Sequence, residues 1–125
     1  MFNLPVIALV AAVLFASVAE AQSTDQAYLE FQVHRPVRVR EASAPMYPQR
    51  LHDAGIGGEV IVQFVVNERG EADASSIKVV KTANHDFDTP VRRAVTSASY
   101  YAAEIDGRKV RQLVQLTFRF DPTRK

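Results

Sequence analysis

From Glu59 onward the chain alternates in character with a period of two. Val60, Val62, Phe64 and Val66 fall on one side, and Ile61, Gln63 and Val65 on the other. That spacing belongs to a strand, whose side chains point alternately to its two faces. "NERG", residues 67–70, interrupts it as a turn, with Gly70 where a positive φ is wanted, and predicts a hairpin into a second strand over residues 75–82. The period then changes. Phe87, Val91, Ala94, Val95 and Ala98 form one apolar stripe at helical spacing, with Arg92 and Arg93 turned to water. Asp86, Asp88 and Thr89 crowd the start of that helix, where side-chain oxygens cap free N–H groups, and Pro90 suits an early helical position. A turn around Asp106 and Gly107 leads into the most regular strand of all, residues 110–120. There Val110, Gln112, Val114, Leu116, Phe118 and Phe120 face one way, and Arg111, Leu113, Gln115, Thr117 and Arg119 the other.

Ahead of these elements stands "MYPQRLHDAGIGGEV", a short segment bracketed by a proline and a glycine. Pro48 fits the first position of a helix, because its missing N–H would be unpaired there anyway. Gly55 fits the left-handed residue that ends one. Counting back from Gly55 makes Ala54 the C-cap, and Ile56 is then expected to pack on Leu51 as the helix closes. Two turns of helix are marginal alone, so packing must hold them. Further upstream, residues 22–44 read as a tether. Within it Val37 and Val39 alternate with Arg38 and Arg40 beside Pro36, which marks a candidate edge strand. The expected fold is therefore α+β: a three-stranded antiparallel sheet with two helices packed on one face, and a candidate extra N-terminal edge strand. Its structural caps are Pro48, Leu51, Gly55, Ile56, Gly70 and Gly107.

The composition of the 125 residues, 47% hydrophobic and 23% charged, is that of one globular domain. A net charge of +1, with no aromatic side chains interleaved in a basic patch, argues against nucleic acid. The absence of cysteine excludes disulfides and thiolate metal sites. Residues 4–18 are almost wholly apolar and "AEA" follows at residues 19–21, the pattern of a signal peptide cut after Ala21. The alternative is an uncleaved membrane anchor, which calls for about 20 apolar residues.

Candidate chemistry is sparse. His34, His52 and His85 sit at no metal-ligand spacing. His85, Asp86 and Asp88 come nearest to a ligand cluster, but their position at a helix start reads as capping. "GIGG" at residues 55–58 precedes a strand instead of opening a helix, which excludes a phosphate loop. No serine stands in a G-x-S-x-G elbow. The reading is a non-enzyme with no cofactor and no metal.

The order of these elements and the residues at their joints resemble the C-terminal domain of the TonB family. The resemblance is carried by "YPQRLHDAGIGGEVIVQFVVNERGEA", "IKVVKT", "FDTPVRRAV", Tyr100, "DGRKV" and "VQLTFRF". It delimits a domain over residues 45–121, with a tail at 122–125. Members of that family are not enzymes. They link a proton-driven inner-membrane motor to outer-membrane transporters, whose TonB box they capture as an added strand. The resemblance thus implies a periplasmic protein in or beside TonB-dependent transport, meeting a transporter through its last strand and the segment before Tyr47. The residues so implied are Ala44, Met46, Tyr47, Val110, Arg111, Gln112, Leu113, Val114, Gln115, Leu116, Thr117 and Phe118. The alternative is a stand-alone periplasmic scaffold or a homodimer through the same edge. If the N-terminus is uncleaved, the protein would instead be anchored in the inner membrane and could reach the motor complex. The chain departs from the family pattern at Ala44, where transducers often carry Gln, and at Ala98 and Ala102, where Trp and Pro are common. It also lacks a long Pro-rich spacer: residues 22–44 span at most about 80 Å when extended.

Overall fold

The computed structural model describes residues 26–124. The export segment expected over residues 1–21 lies outside them. In chain order the elements are β1 (Arg38–Glu41), α1 (Gln49–Asp53), β2 (Gly58–Val66), β3 (Lys78–Thr82), α2 (Asp88–Ser97), β4 (Ser99–Tyr101), β5 (Ala103–Ile105), β6 (Arg108–Val110) and β7 (Gln112–Phe120). Single turns of 3-10 helix occupy Glu30–Gln32, Ala74–Ser76 and His85–Phe87.

The main sheet has the order β3-β2-β7 and is antiparallel throughout. Its central strand is β2, and the period-two reading holds: Val60, Val62, Phe64 and Val66 are all fully buried. Phe87, Val91 and Val95 of the helical stripe join them in the core, with Leu51 from α1 and Phe120 from β7. The expected α+β architecture is what the chain adopts. Two small antiparallel ribbons flank the sheet, β1 with β4 and β5 with β6. The candidate N-terminal edge strand is thus β1, and it pairs with β4 outside the main sheet.

The ends of the elements correct the sequence reading in detail. Pro48 is the N-cap of α1, not its first helical residue: its ψ is 125°, and its carbonyl accepts the amides of Leu51 and His52. The C-terminal end follows expectation. Gly55 has φ 69°, its amide bonds to the His52 carbonyl at 3.1 Å, and Ile56 donates to Leu51 at 2.9 Å. Those two bonds are the Schellman closure. The Ile56 side chain stays 40% exposed, so the backbone does most of the closing.

No side chain caps the second helix, whose N-cap is Phe87; the acids expected to cap it do not, and Asn84 instead caps the preceding 3-10 turn, its side chain accepting the Asp86 amide. The helix stops at Ser97, earlier than the sequence suggests, because residues 99–101 pair with β1. The strand expected over residues 75–82 begins only at Lys78, after the 3-10 turn that Asp73 caps. The strand expected over residues 110–120 is divided at Arg111: Val110 pairs with Ala103 in the β5–β6 hairpin, and β7 starts at Gln112.

Tyr100 closes the core from β4. Its hydroxyl donates to the Val95 carbonyl at 3.0 Å, and burial pushes its phenol up to about 12. A phenol whose folded pKa is raised contributes stability that is whole below the unfolded value near 10 and declines as pH climbs through about 12. Chemical denaturation across that window is expected to show the decline in the parent and a flatter profile in Tyr100→Phe. Parallel profiles would place the alkaline sensitivity elsewhere.

Candidate partner-binding edge

A three-stranded sheet has two edges, and this one treats them differently. The β3 edge is five residues long and carries Lys78 and Lys81. Its pairing with β2 is broken by a bulge that leaves Val80 without a partner between Val79 and Lys81. Short length, lysines and bulges are the devices that keep an edge from recruiting another strand. The β7 edge has none of these. Nine consecutive residues, Gln112–Phe120, pair with β2 without a register shift, and Arg119 is the one charged residue among them.

The backbone groups that β7 turns outward follow from its pleat, since alternate residues bond to opposite neighbours. The Arg111 carbonyl and the Leu113 amide point away from β2, because both are bonded to Tyr28: its amide donates to Arg111 and its carbonyl accepts from Leu113, each at 2.9 Å. By the same parity Gln115, Thr117 and Arg119 turn their N–H and C=O groups outward. Their neighbours at even positions face β2. The central strand agrees, its odd positions Glu59 and Val65 accepting from Ala83 and Asp73 on the β3 side.

The side chains of β7 add a second cue. Val114, Leu116 and Phe118 lie on the core face but are only partly buried, at the margin of the packed cluster. A further strand alongside β7 would extend that apolar layer. On the opposite face Gln63 donates to Gln115 at 2.9 Å.

The first end of the edge is tied down. Gln112 is buried, its side-chain oxygen accepting the Val37 amide at 2.9 Å and its side-chain nitrogen donating to the Leu113 carbonyl at 3.3 Å. Arg111 reaches Asp73 at 3.5 Å. The Asp73 carboxyl is held below the usual range first by the hydroxyl and amide of Ser75, with Arg111 a smaller contributor.

At the other end, residues 43–46 run between two shallow clefts. Ala44 and Pro45 line both. One cleft reaches Arg119, Phe120 and Asp121 at the end of β7; the other runs along Thr89, Pro90 and Arg93 of α2. Met46 is 80% exposed. Tyr47 is built into the fold: its ring meets Phe120 and Phe87 edge-on at 5.3 and 5.7 Å, and its hydroxyl donates to the Ile56 carbonyl. Burial, and secondarily the Asp121 charge, raise its phenol pKa.

Of the residues the resemblance implied, Gln112, Leu113, Val114, Gln115, Leu116, Thr117 and Phe118 therefore lie along β7. Ala44, Met46 and Tyr47 gather near its far end, and Val110 and Arg111 fall outside the strand. Sequence reasoning missed Tyr28, which occupies the edge through backbone alone and leaves no side-chain pattern to read. The His85, Asp86 and Asp88 trio is divided: His85 pairs with Asp88 at 3.1 Å, while Asp86 accepts from Arg50.

A sheet with one short, bulged edge and one long, unbroken edge defines an α+β module that presents a single long strand. The family profile described as "Gram-negative bacterial TonB protein C-terminal" matches residues 43–122, more than half of the chain, and the chain belongs to that family. Among solved structures it is similar to the C-terminal domain of TonB from Pseudomonas aeruginosa, determined by solution NMR, with a TM-score of 0.59 and 24% identity over 71% of this chain and 89% of that one. That likeness carries the fold. No curated protein matched the chain. The family makes this a TonB-like protein of transport, built on a domain that is periplasmic in Gram-negative bacteria and that interacts with outer-membrane transporters.

Proposed function

We propose that the protein binds the TonB-box segment of an outer-membrane transporter as an added strand along β7, in or beside energy-coupled transport. It acts in the periplasm, exported by its N-terminal segment, and performs no catalysis. The observation that carries this reading is the asymmetry of the two sheet edges: β3 is short, bulged and lysine-bearing, whereas β7 runs unbroken for nine residues, with a half-covered apolar layer and outward backbone groups at Gln115, Thr117 and Arg119. In such recognition, main-chain hydrogen bonds supply affinity and pockets for alternate side chains supply selectivity. Residues 43–46 and their flanking clefts lie where the end of a bound segment could make those side-chain contacts.

The test is hydrogen exchange with a synthetic peptide spanning a TonB box. Binding is expected to slow the amides of Gln115 and Thr117, which face outward, while those of Val114, Leu116 and Phe118, already bonded to β2, change little. Unchanged exchange of the Gln115 and Thr117 amides at millimolar peptide would sink the proposal. Protection of the same two amides without peptide, rising with protein concentration, would instead identify a homodimer through this edge.

A further inference from the structure

The β7 edge is already partly occupied by the chain itself. Tyr28 forms a parallel bridge with Gln112, making the two backbone bonds to Arg111 and Leu113 that a bound peptide would make there. The segment does not continue along the strand. After Tyr28 the chain folds into the 3-10 turn at Glu30–Gln32, held by the Gln32 amide on the Leu29 carbonyl and by the Leu29 amide on the Gln32 side chain, 2.9 and 2.8 Å. It then leaves the edge, and His34 and Arg35 bond to Glu104 of β5. The ladder is therefore filled at Leu113 and turned out at Gln115, Thr117 and Arg119.

We propose that residues 28–32 act as an internal competitor for the β7 edge. The proposal rests on strand addition at β7 as its parent reading. A partner strand confined to Gln115–Arg119 coexists with the plug. A strand that extends to Leu113 must displace Tyr28, because one N–H and one C=O cannot serve two strands.

Three features fit a displaceable plug. Its attachment to β7 is one residue of ladder and two backbone bonds. Its large apolar side chains gain little from staying: Phe31 is 83% exposed, and Tyr28 and Leu29 are exposed as well. Few buried contacts and short, accessible hydrogen bonds place a segment at the low-stability end of a domain. Its anchor on β5 at His34 and Arg35 lies past the turn, so the plug can lift while the rest of the chain stays attached.

The competition is tested by comparing the parent with Tyr28→Pro, which removes the amide that bonds Arg111, and with Gln32→Ala, which removes the side chain that closes the turn. Gln32 is exposed, so the second variant leaves the core untouched. The probe is the synthetic TonB-box peptide, followed by titration calorimetry and amide exchange. The Leu113 amide is expected to be protected in the free parent and to lose protection in Tyr28→Pro. Peptide affinity is expected to rise about tenfold in Tyr28→Pro, the scale set by two hydrogen bonds of ordinary net strength less the ordering of the segment. Gln32→Ala should shift affinity in the same direction by less. Equal affinity in all three proteins, with the peptide bound, overturns the competition and leaves strand addition standing. A peptide that binds none of them overturns both.

Discussion

Phe87→Ala is expected to cost about 3–5 kcal/mol of folding stability, the usual loss for a buried aromatic truncated to a methyl. The ring is fully buried, and it joins three parts of the fold that are distant in sequence. It stacks on Phe120 at the end of β7, with centroids 4.0 Å apart and planes inclined by 12°. It takes the edge of Tyr47 at 5.7 Å, just before α1. It also stands at the entrance of α2, where Asn84 caps the preceding turn. Offset aromatic pairs contribute beyond their buried area, and here both pairs are lost together. Domains are held by about 5–15 kcal/mol in all, so the variant forfeits a large share of the total. Urea denaturation gives the answer as a shift of midpoint at unchanged slope. A loss below about 1 kcal/mol would mean that the neighbouring rings collapse into the space, and the three-way junction would then be less rigid than its geometry implies.

That junction shows how far the sequence could be read. Phe87 was legible as a core residue because it opens a stripe at helical spacing, and β2 because four apolar residues recur at period two. Both signals are imposed by burial of one face, and burial is what residue type reports. The ends of elements answer to other forces. Pro48 fixes its own φ near −60° whether it caps a helix or begins one; the difference lies in ψ, which the ring does not set. Around α2, Asn84, Asp86 and Asp88 are all chemically able to cap, and the 3-10 turn selects Asn84. The helix ends at Ser97 without a glycine to stop it, because residues 99–101 are claimed by β1, a partner some sixty residues away.

The candidate site divides along the same line. β7 was visible as a long alternating strand, and an edge role followed from the family resemblance. The break at Arg111 left only a faint mark: Arg111 and Gln112 are polar in succession and Leu113 and Val114 apolar, a slip in the alternation that the longer regular run after it conceals. The plug left no mark at all. Tyr28 reaches the edge through its amide and carbonyl, which every residue but proline possesses, so no side-chain pattern marks it. The guarding of the other edge was only half legible: Lys78 and Lys81 stand in the sequence, but the bulge at Val80 appears only once the register with β2 is known.

Gly70→Ala is expected to lose about 2–5 kcal/mol, through two costs that fall on one atom. The residue sits at φ 77°, where an L side chain is strained by roughly 1–2 kcal/mol. An added Cβ would also lie 2.1 Å from the Tyr100 carbonyl oxygen, far inside contact distance. Relief requires backbone to move, at a further cost of about 1–3 kcal/mol typical of overpacked sites. The obstructing strand cannot withdraw freely, because the Tyr100 amide donates to the Gly70 carbonyl at 2.9 Å and the Tyr100 hydroxyl is bonded to Val95. Gly55→Ala provides the control. It shares the positive φ, at 69°, but the new methyl would have nothing within 4 Å, so only the backbone strain should register. Measured side by side by urea denaturation, Gly70→Ala should exceed Gly55→Ala by the steric share alone. Amide exchange should locate the damage: Tyr100 and its neighbours in the β1–β4 ribbon should open in the Gly70 variant and stay closed in the Gly55 variant. Equal losses would show that the hairpin turn is free to move away from β4, and that the ribbon is held to the domain by something other than this contact.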